Sequence, residues 1–435
     1  MPLTNVVILG AGPCGLSTAI ALAKSCKTGV SNQSLRIAVI ELRPKIQTIG
    51  GTVNMTPLGM RYLDYLGAGE RLRLKSISLD HGVDALSLRT GKRLGNVWGG
   101  IGARRTARYP LVDSLLETVT QDHQDHVEVQ WGRKVTSISE KDEQVHLEFE
   151  DHSTMHCDLL LGCDGIHSSA RRLYIEPERQ KVFTGRAVAM GWVEVNAGEA
   201  SDAIVSPITL STGEPGLVDT AVVNGNGNGR YLIMTYFEPS RRNVFFGHVM
   251  WTGEPEGETR DGWKLRGDDK EAIRKEVVES YKGGRVSGLH EFISKCESWD
   301  LYPIYSLPPG GRWSRGRVLL LGDAAHAMPP QGESTGIAIE DGVLIARILE
   351  QSSTKSIEQM FADYEKVRRA VIDKHYVDAE RMAKFGFSNT TGLAAIAMEW
   401  ITSAYMFVRK WNQSADFAGD VRELELPGEP EKNTK

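Results

Sequence analysis

The segment NVVILGAGPCGLSTAIALAKS, residues 5–25, decides the fold of this chain. Val6–Leu9 form an apolar run of strand length, and a stretch rich in alanine and leucine, typical of a helix, follows it. Between the two lie Gly10, Gly12 and Gly15 with the spacing G-x-G-x-x-G. In a strand–turn–helix unit the first glycine permits the tight turn, the second admits a pyrophosphate, and the third lets the helix pack on the strand. The segment therefore predicts a dinucleotide site in a Rossmann-like α/β domain, with the anion at the helix N-terminus.

An acidic residue at the end of the next predicted strand supports this site. The segment LRIAVIELRP begins at Leu35, and its apolar run ends at Glu41. A carboxylate at that position can accept hydrogen bonds from the ribose hydroxyls of an adenosine, and it repels a 2′-phosphate. FAD or NAD is therefore favoured over NADP here. The alternative is a glycine-rich turn that binds no ligand.

Two further segments each end an apolar strand in an acid beside glycine. They are LLLGCDGIHSSARR with Asp164 and, near the C-terminus, RVLLLGDAAHAMPPQGESTGIAIEDG with Asp323. An acid at such a tip can accept hydrogen bonds from a ribityl hydroxyl. The helix that follows would present its positive end to a flavin edge, where negative charge collects on reduction. These turns favour FAD over NAD as the tightly bound nucleotide.

Together the three segments resemble the three fingerprint motifs of the single-component, FAD-dependent aromatic hydroxylases of the p-hydroxybenzoate and salicylate hydroxylase type. The chain is most similar to fungal members of that family. A fourth element, RYPLVDSLL, resembles the family's Arg-x-x-Leu, whose arginine contacts the FAD; here this is Arg108. Considered alone, Arg108 would be a solvated helix arginine. The resemblance implies a Rossmann-like FAD-binding domain, an inserted antiparallel β-sheet substrate domain and C-terminal helices.

The same resemblance implies roles for individual residues. Asp323 would bind the ribityl–pyrophosphate region, and Asp164 with Gly165 would serve both FAD and a transient nicotinamide cofactor. The loop after the proline would approach the flavin ring, and the following helix would point at its pyrimidine edge. The residues assigned to the cofactor are Gly10, Gly12, Gly15, Glu41, Arg108, Asp164, Gly165, Asp323, Pro330, Gly332 and Gly336.

The loop at residues 332–336 departs from the family pattern. The family commonly has Gly-x-Gly-x-Gly after the proline, whereas this chain has GESTG, which is about one residue shorter. Ser334 replaces a glycine and Glu333 adds a charge near the ring. Either change could alter flavin movement or peroxide protonation.

The order of the motifs predicts a discontinuous FAD-binding domain made of residues 1–175 and 300–350. A substrate-binding sheet domain would occupy residues 176–299, and a C-terminal helical region would follow at 351–420. The polar end of the chain, residues 421–435, is predicted to be a disordered tail.

The inserted region supplies the candidate substrate-binding residues. Three alternating or aromatic strands, near residues 185–195, 229–239 and 243–251, are expected to be antiparallel neighbours in one sheet. A phenolic substrate needs a base, and His248 or Tyr236 could serve, whereas Arg186 could pair with a carboxylate or phenolate. The alternatives are a buried imidazole with a structural hydrogen bond and an exposed strand-edge arginine.

Composition restricts partners and compartment. The net charge is −5 with a pI near 6.2, which does not favour nucleic-acid binding. Five cysteines lack metal-ligand or CxxC spacing, and the chain begins with a strand and no leader pattern, so a cytoplasmic protein without structural metal is expected. The apolar stretch 392–408 contains Glu399 and is short for a membrane span. It is interpreted as a packed amphipathic helix, with peripheral membrane contact as the alternative; the oligomeric state, monomer or homodimer, stays open.

The resemblance implies an FAD-dependent monooxygenase, which NADPH or NADH reduces transiently. O2 would then form a C4a-hydroperoxyflavin that delivers one oxygen atom to a small-molecule aromatic or other electron-rich substrate. The resemblance to fungal members implies a role in secondary metabolism. Epoxidation and Baeyer–Villiger oxidation are alternatives on the same fold. A non-catalytic, partner-binding protein with a flavoprotein fold is the alternative from a different class.

Overall fold

The computed structural model describes residues 3–27, 35–46, 51–195, 206–225, 229–253, 266–385 and 392–428. Within these ranges the strands form four sheets, and the two largest have six and seven strands. Ten helices longer than three residues accompany them in the described part of the chain. A π-helical turn at Arg171–Ile175 and a 3-10 turn at Glu350–Ser353 complete the helical segments.

The six-stranded sheet confirms the predicted Rossmann-like α/β class. Its four central strands are parallel, apolar and almost wholly buried, as expected for a sheet covered on both faces. In spatial order the strands are β18 (Ser314–Arg315), β19 (Val318–Leu320), β12 (Leu159–Gly162), β1 (Asn5–Leu9), β2 (Arg36–Ile40) and β8 (Val127–Gln130). The carboxyl ends of β1, β12 and β19 therefore bring the three fingerprint turns to one edge.

The helices of this domain follow directly from the motifs. Helix α1 (Pro13–Lys27) begins within the first fingerprint, and a long helix, α8 (Ser334–Leu349), follows the loop of the third. The helices are α1 (Pro13–Lys27), α2 (Pro57–Leu66), α3 (Gly69–Arg73), α4 (Arg108–Asp122), α5 (Lys270–Glu279), α6 (Leu289–Ser294), α7 (Asp323–His326), α8 (Ser334–Leu349), α9 (Ile357–Phe385) and α10 (Gly392–Asp416).

The seven-stranded sheet is the predicted inserted sheet, but it extends beyond residues 176–299. Its order is β17 (Asp300–Ser306), β13 (Val182–Glu194), β16 (Asn243–Trp251), β15 (Tyr231–Tyr236), β14 (Thr220–Asn224), β5 (Val83–Ser87) and β6 (Arg93–Val97). The predicted antiparallel pairing of β13, β15 and β16 is confirmed. Three of the seven strands lie outside the predicted range. Strand β17 pairs with β13 just after the range ends, whereas β5 and β6 join through the parallel pairing of β5 with β14, a contact that no local pattern indicates.

Two three-stranded sheets complete the fold. One consists of β3 (Thr52–Met55), β7 (Arg104–Ala107) and β4 (Ile77–Ser78), and it precedes α4 in the chain. The other, β9 (Val135–Lys141), β10 (Gln144–Phe149) and β11 (Thr154–Cys157), leads into the second fingerprint.

The C-terminal segment differs from the predicted disordered tail. Val421 and Leu426 are buried in the core of the dinucleotide domain, and the Val421 N–H donates a hydrogen bond of 2.9 Å to the Tyr62 hydroxyl. The polar composition of the segment concealed these two apolar anchors. Residues 429–435 of the predicted tail lie outside the described part. No helix within the described ranges is long and apolar enough to cross a membrane.

Candidate cofactor and substrate site

The three glycines of the first fingerprint have the geometry that their spacing predicts. Gly10 adopts a φ of +100°, and a Cβ there would lie 2.6 Å from the Cys163 carbonyl oxygen. A Cβ on Gly15 would lie 1.9 Å from the Gly10 oxygen, so only glycine lets α1 approach β1 this closely. At Gly12, in contrast, no described atom lies within 4 Å of the Cβ position. The turn is therefore open at the position where a pyrophosphate would lie.

Glu41 is held against this turn. One carboxylate oxygen accepts the Ala11 N–H at 2.9 Å, and the other accepts the Arg43 N–H at 2.9 Å. These bonds fix the carboxylate beside the glycine turn, with lone pairs left for ribose hydroxyls. The position suits the adenosine half of FAD.

The third fingerprint forms a sharp turn at Gly322, whose φ of +58° favours glycine. Asp323 begins α7, and its half-buried carboxylate makes no hydrogen bond or ion pair with any described residue. The acid is therefore available to a ligand at the edge where the three turns meet.

Asp341 stabilises this turn by accepting a hydrogen bond from its backbone. Its carboxylate is fully buried and accepts the Gly322 N–H at 2.9 Å, His326 Nε2 at 2.7 Å and Arg368 Nε at 2.5 Å. Burial alone would raise the pKa of Asp341, but Arg368 and His326 together with these hydrogen bonds lower it to about 2. Arg368 also donates to the Ile337 carbonyl and pairs with Glu340. No motif in the sequence indicates this network, because Asp341, His326 and Arg368 are brought together only by the packing of three helices.

The second fingerprint is joined to the third by Arg171. This buried guanidinium donates to the carbonyls of Ala324 at 2.8 Å and Ile166 at 2.6 Å. Asp164 accepts the Ser169 N–H at 2.5 Å with one oxygen, while the other is buried and has no partner among the described residues. Burial raises the pKa of Asp164. One oxygen of Asp164 thus holds the loop in place, and the other oxygen is available to a ligand near Gly165.

The loop at residues 330–336 packs against β3. A Cβ on Gly332 would lie 2.9 Å from Asn54 Nδ2 and 3.5 Å from the Trp98 ring. Glu333 does not point to this contact, because its carboxylate pairs with Arg409 of α10 at 3.2 Å. Burial raises the pKa of Glu333. The charge that departs from the family pattern therefore ties the loop to α10.

The two faces of the seven-stranded sheet differ in burial. The covered face packs its buried side chains, such as Leu232 and Phe246, against α5 and α6. On the open face the side chains of the flanking strands are half-buried; these are Val188, Met190, Val222 and Ile233. The residues of β16 on the same face, Phe245, Gly247 and Val249, are buried. Phe245, also on the open face, approaches Gly51, where a Cβ would lie 2.2 Å from its ring. The open face therefore faces the β3 side of the cofactor loop.

Helix α10 lies along the edge strands of the open face. A Cβ on Gly95 would lie 2.4 Å from Met406 Cβ, and the Trp98 N–H donates to Gln413 at 2.9 Å. Glu399 bonds Ser87 and Arg89 at the other end of the helix. The helix thus connects the sheet to the loop that contains Glu333.

The two predicted substrate bases, His248 and Tyr236, do not lie on the open face of the sheet. Both side chains are fully buried on the covered face, as the pairing of Leu232 with His248 and of Tyr236 with Val244 shows. His248 Nδ1 lies 2.8 Å from the Tyr281 hydroxyl, and burial, with a smaller effect of Arg230, lowers the His248 pKa to about 3. The alternating pattern grouped the residues correctly but could not indicate which face the helices cover.

Arg186 lies on the open face but far from the cofactor loop. Its guanidinium lies 4.3 Å from the centre of the Trp251 ring, and burial lowers its pKa. Trp251 is six residues along β16 from Phe245, or about 20 Å at strand rise. Arg186 therefore lies outside the part of the open face nearest the loop. Around Phe245 the neighbouring residues on this face are Trp192, Thr235 and Gly247.

The donor and acceptor atoms at the turns fit FAD. Gly12 leaves room for a pyrophosphate, Glu41 offers ribose contacts, and Asp323 and Asp164 have oxygens without described partners. Arg108 begins α4, and its side chain likewise makes no hydrogen bond or ion pair in the described ranges. No cluster of three or more metal-ligating residues is found in the same ranges.

Comparison with known proteins decides the family. A family model described as "FAD binding domain" matches residues 3–261 and 298–379. The chain belongs to this family. The chain is 26% identical to a salicylate hydroxylase of Pseudomonas putida over 386 residues, 85% of this chain and 82% of the relative. It is 25% identical to the 6-methylsalicylate 1-monooxygenase atA of Aspergillus terreus over 84% of this chain and 79% of the relative. The chain is thus an FAD-dependent enzyme of the hydroxylase class.

Solved structures of similar fold agree with the architecture. A salicylate hydroxylase in a substrate complex superposes with a TM-score of 0.74 at 19% identity, covering 97% of this chain and 96% of that one. Klebsiella pneumoniae HpxO, complexed with FAD and uric acid, gives a TM-score of 0.73 at 21% identity over 95% and 96% of the two chains. Both confirm the Rossmann-like domain with its inserted sheet and C-terminal helices.

Proposed function

We propose that this enzyme uses NADPH or NADH and O2 to insert one oxygen atom into a small, planar aromatic substrate. The observation that carries the proposal is the open face of the seven-stranded sheet, whose half-buried apolar residues face the side of the loop at Gly332. Such a surface would bind a flat, apolar ring and exclude water from it.

FAD would be held by the residues gathered at the fingerprint turns. In this proposal the α1 N-terminus at Gly12 binds the pyrophosphate, Glu41 the adenosine ribose, and Asp323 the ribityl hydroxyls. Asp164, Gly165 and Arg108 complete the polar contacts, and Pro330, Gly332 and Gly336 leave room for the ring. When bound, the flavin supplies the electron transfer and oxygen activation that no protein side chain provides.

The sheet would position the substrate against the ring. Gly247 has no side chain between Met190 and Ile233 on the neighbouring strands, so an aromatic ring could pack there. The relatives named for salicylate, 6-methylsalicylate and 6-hydroxynicotinate act on small aromatic acids, which support this substrate class. The covered face, with His248 and Tyr236, would then stabilise the fold and take no part in proton transfer.

Anaerobic reduction tests the proposal directly. Purified protein with bound FAD is mixed with NADPH or NADH, and bleaching of the oxidised flavin is followed with and without salicylates, hydroxynicotinates, phenols and larger aromatics. One compound that accelerates bleaching and yields a product with one added oxygen atom would support the proposal. Absence of bleaching with either nucleotide and every compound would contradict it.

We further propose a cytoplasmic enzyme, supported by five free and buried cysteines.

Peripheral contact with a membrane surface through residues 392–408 is supported by the outer side of α10, where Trp400 is 73% and Phe407 68% exposed. Glu399, the acidic residue of this stretch, is turned inward to Ser87 and Arg89, so the outer side bears no negative charge. Co-sedimentation with anionic vesicles, lost in Trp400→Ser, would support the contact. A homodimer in light scattering that the same change dissociates would assign the surface to a second copy instead.

A further inference from the structure

Arg105 is a buried cation whose guanidinium has no partner among the described residues. It lies in β7 between Asn54 of β3 and Ile77 of β4, and the strand register puts all three side chains on one face. Arg105 is 6% exposed, and its guanidinium makes neither a hydrogen bond nor an ion pair with the described residues. The Asn54 Oδ1 is also buried and unpartnered there. A donor and an acceptor thus lie side by side without partners.

The pair lies at the cofactor loop. Asn54 Nδ2 is 2.9 Å from the position of a Cβ on Gly332, and Gly336, in the first turn of α8, packs near Thr56 and Gly59. The neighbouring Arg104 points to the other side of the strand, where it bonds Ser76. Only Arg105 of these two arginines therefore faces the loop.

An unpaired guanidinium in this position is costly. Burial lowers the Arg105 pKa to about 9, because no nearby carboxylate offsets the loss of water. Two other buried polar atoms without described partners, His248 Nε2 and the Tyr236 hydroxyl, belong to neutral groups. The guanidinium groups of Arg171 and Arg274 also have a buried Nε without a described partner, but they bond carbonyl oxygens through their other nitrogens. Those groups do not require an anion, whereas Arg105 does.

We propose that Arg105 and Asn54 bind the pyrimidine edge of the flavin, and that Arg105 stabilises the negative charge this edge gains on reduction. The edge presents carbonyl acceptors beside an N–H donor, which matches a guanidinium donor beside the Asn54 carbonyl oxygen. A substrate carboxylate offers acceptors alone and would leave Asn54 Oδ1 unpaired. The positive end of α8 adds to the same effect. The proposal rests on the FAD-binding role proposed above.

The midpoint potential of bound FAD tests the proposal. In Arg105→Met the affinity for reduced FAD should fall at least tenfold relative to that for oxidised FAD, which lowers a two-electron potential by about 30 mV. Arg105→Lys should restore part of the difference, because it keeps the charge and loses the planar fork. Arg104→Met is the matched control: it removes the adjacent arginine from the opposite face and should leave the potential unchanged.

Thermal unfolding gives a second readout, independent of turnover. Arg105→Met should raise the Tm of the apoprotein, because it removes an uncompensated charge, and it should reduce the further rise in Tm on adding FAD. Asn54→Leu should weaken binding of both redox forms to a similar extent, because it removes a neutral contact. These two patterns together separate a charge effect from a packing effect.

An unchanged potential in Arg105→Met, at full FAD content, would overturn the proposal. So would an unchanged potential with a large loss of affinity for an aromatic acid, which would assign the cation to the substrate. Wild-type protein that does not bind FAD would overturn the proposed function as well, and this outcome is distinguished by a colourless preparation.

Discussion

Two buried arginines in this molecule have opposite surroundings. Arg368, in α9, is fully buried and pairs with Asp341 and Glu340, and it donates to the Ile337 carbonyl. Arg105, in β7, is equally enclosed but has no partner among the described residues. The first supports the turn of the third fingerprint from behind, and the second faces the loop that follows it. A satisfied buried charge indicates a structural support, whereas an unsatisfied one beside a loop indicates a ligand position.

The acids of the third fingerprint show the same contrast. Asp341 uses both oxygens within the protein, whereas Asp323 offers its carboxylate to no described residue. The sequence alone does not distinguish these two aspartates, because both are acidic residues of the same segment. Their hydrogen bonds assign one to folding and the other to the cofactor.

The largest expected effect comes from Asp341→Ala, which removes one of the two carboxylates paired with the buried Arg368. Removing one partner of a buried charge network typically costs about 3–5 kcal/mol. We expect a loss of that size in the free energy of unfolding, measured by urea denaturation of the apoprotein. Retained stability would show that Glu340 alone compensates Arg368. The control is Glu365→Gln, which removes the partner of the partly exposed Arg369 and should cost less than about 1 kcal/mol.

The second prediction concerns Asp323→Ala. Because the carboxylate makes no described bond, the apoprotein should keep its stability to within about 0.5 kcal/mol. Loss of charge-assisted hydrogen bonds to FAD should raise the Kd by about 10- to 100-fold. Titration of apoprotein with FAD, followed by flavin fluorescence, measures this change. Unchanged FAD affinity would show that the third fingerprint does not contact the cofactor through this residue.

The third prediction uses the buried His248 on the covered face. Its pKa is lowered to about 3, so between pH 6.5 and 3 the unfolded chain binds more protons than the folded one. The contribution of His248 to stability is therefore present above pH 6.5 and is lost as pH falls, by up to about 1.4 kcal/mol per pH unit. Urea denaturation from pH 6.5 to 4.5 should show a smaller slope in His248→Gln.

Two other residues affect the expected change in the pH slope of stability. Burial also lowers the pKa of His375, so His248→Gln should retain part of the slope. Tyr281→Phe removes the hydrogen bond to His248 but leaves the imidazole buried, so its slope should match the wild type while its overall stability falls by about 1 kcal/mol. Equal slopes in wild type and His248→Gln would show that the imidazole is charged in the folded protein.

The sequence predicts local geometry far better than pairing between distant segments. The turns at Gly10, Asp164 and Asp323 were predictable because strand, glycine and acid are consecutive there. The inclusion of β5 in the inserted sheet was not, because its parallel pairing with β14 joins residues far apart in the chain. Alternation placed Phe246 and His248 on one face, but only the packing of α5 and α6 shows that this face is covered. Val421 and Leu426 were missed because two apolar anchors do not change the composition of a polar tail.

The smallest expected effect is a change in activity, and it tests which face of the sheet binds the substrate. The two adjacent residues Gly247 and His248 lie on opposite faces. Gly247 lies on the open face, and a Cβ there would lie 3.2 Å from the Phe245 ring, so valine must displace that ring and fill the patch proposed for the substrate. We expect Gly247→Val to lower kcat/KM for the substrate found in the reduction experiment by about five- to tenfold, close to 1 kcal/mol, with unchanged FAD content. Gly253→Val, where no described atom lies within 4 Å of the Cβ position, is the matched control and should retain full activity. If Gly247→Val retains full activity while His248→Gln loses it, the substrate binds on the covered side of the sheet, and the assignment of the two faces is wrong.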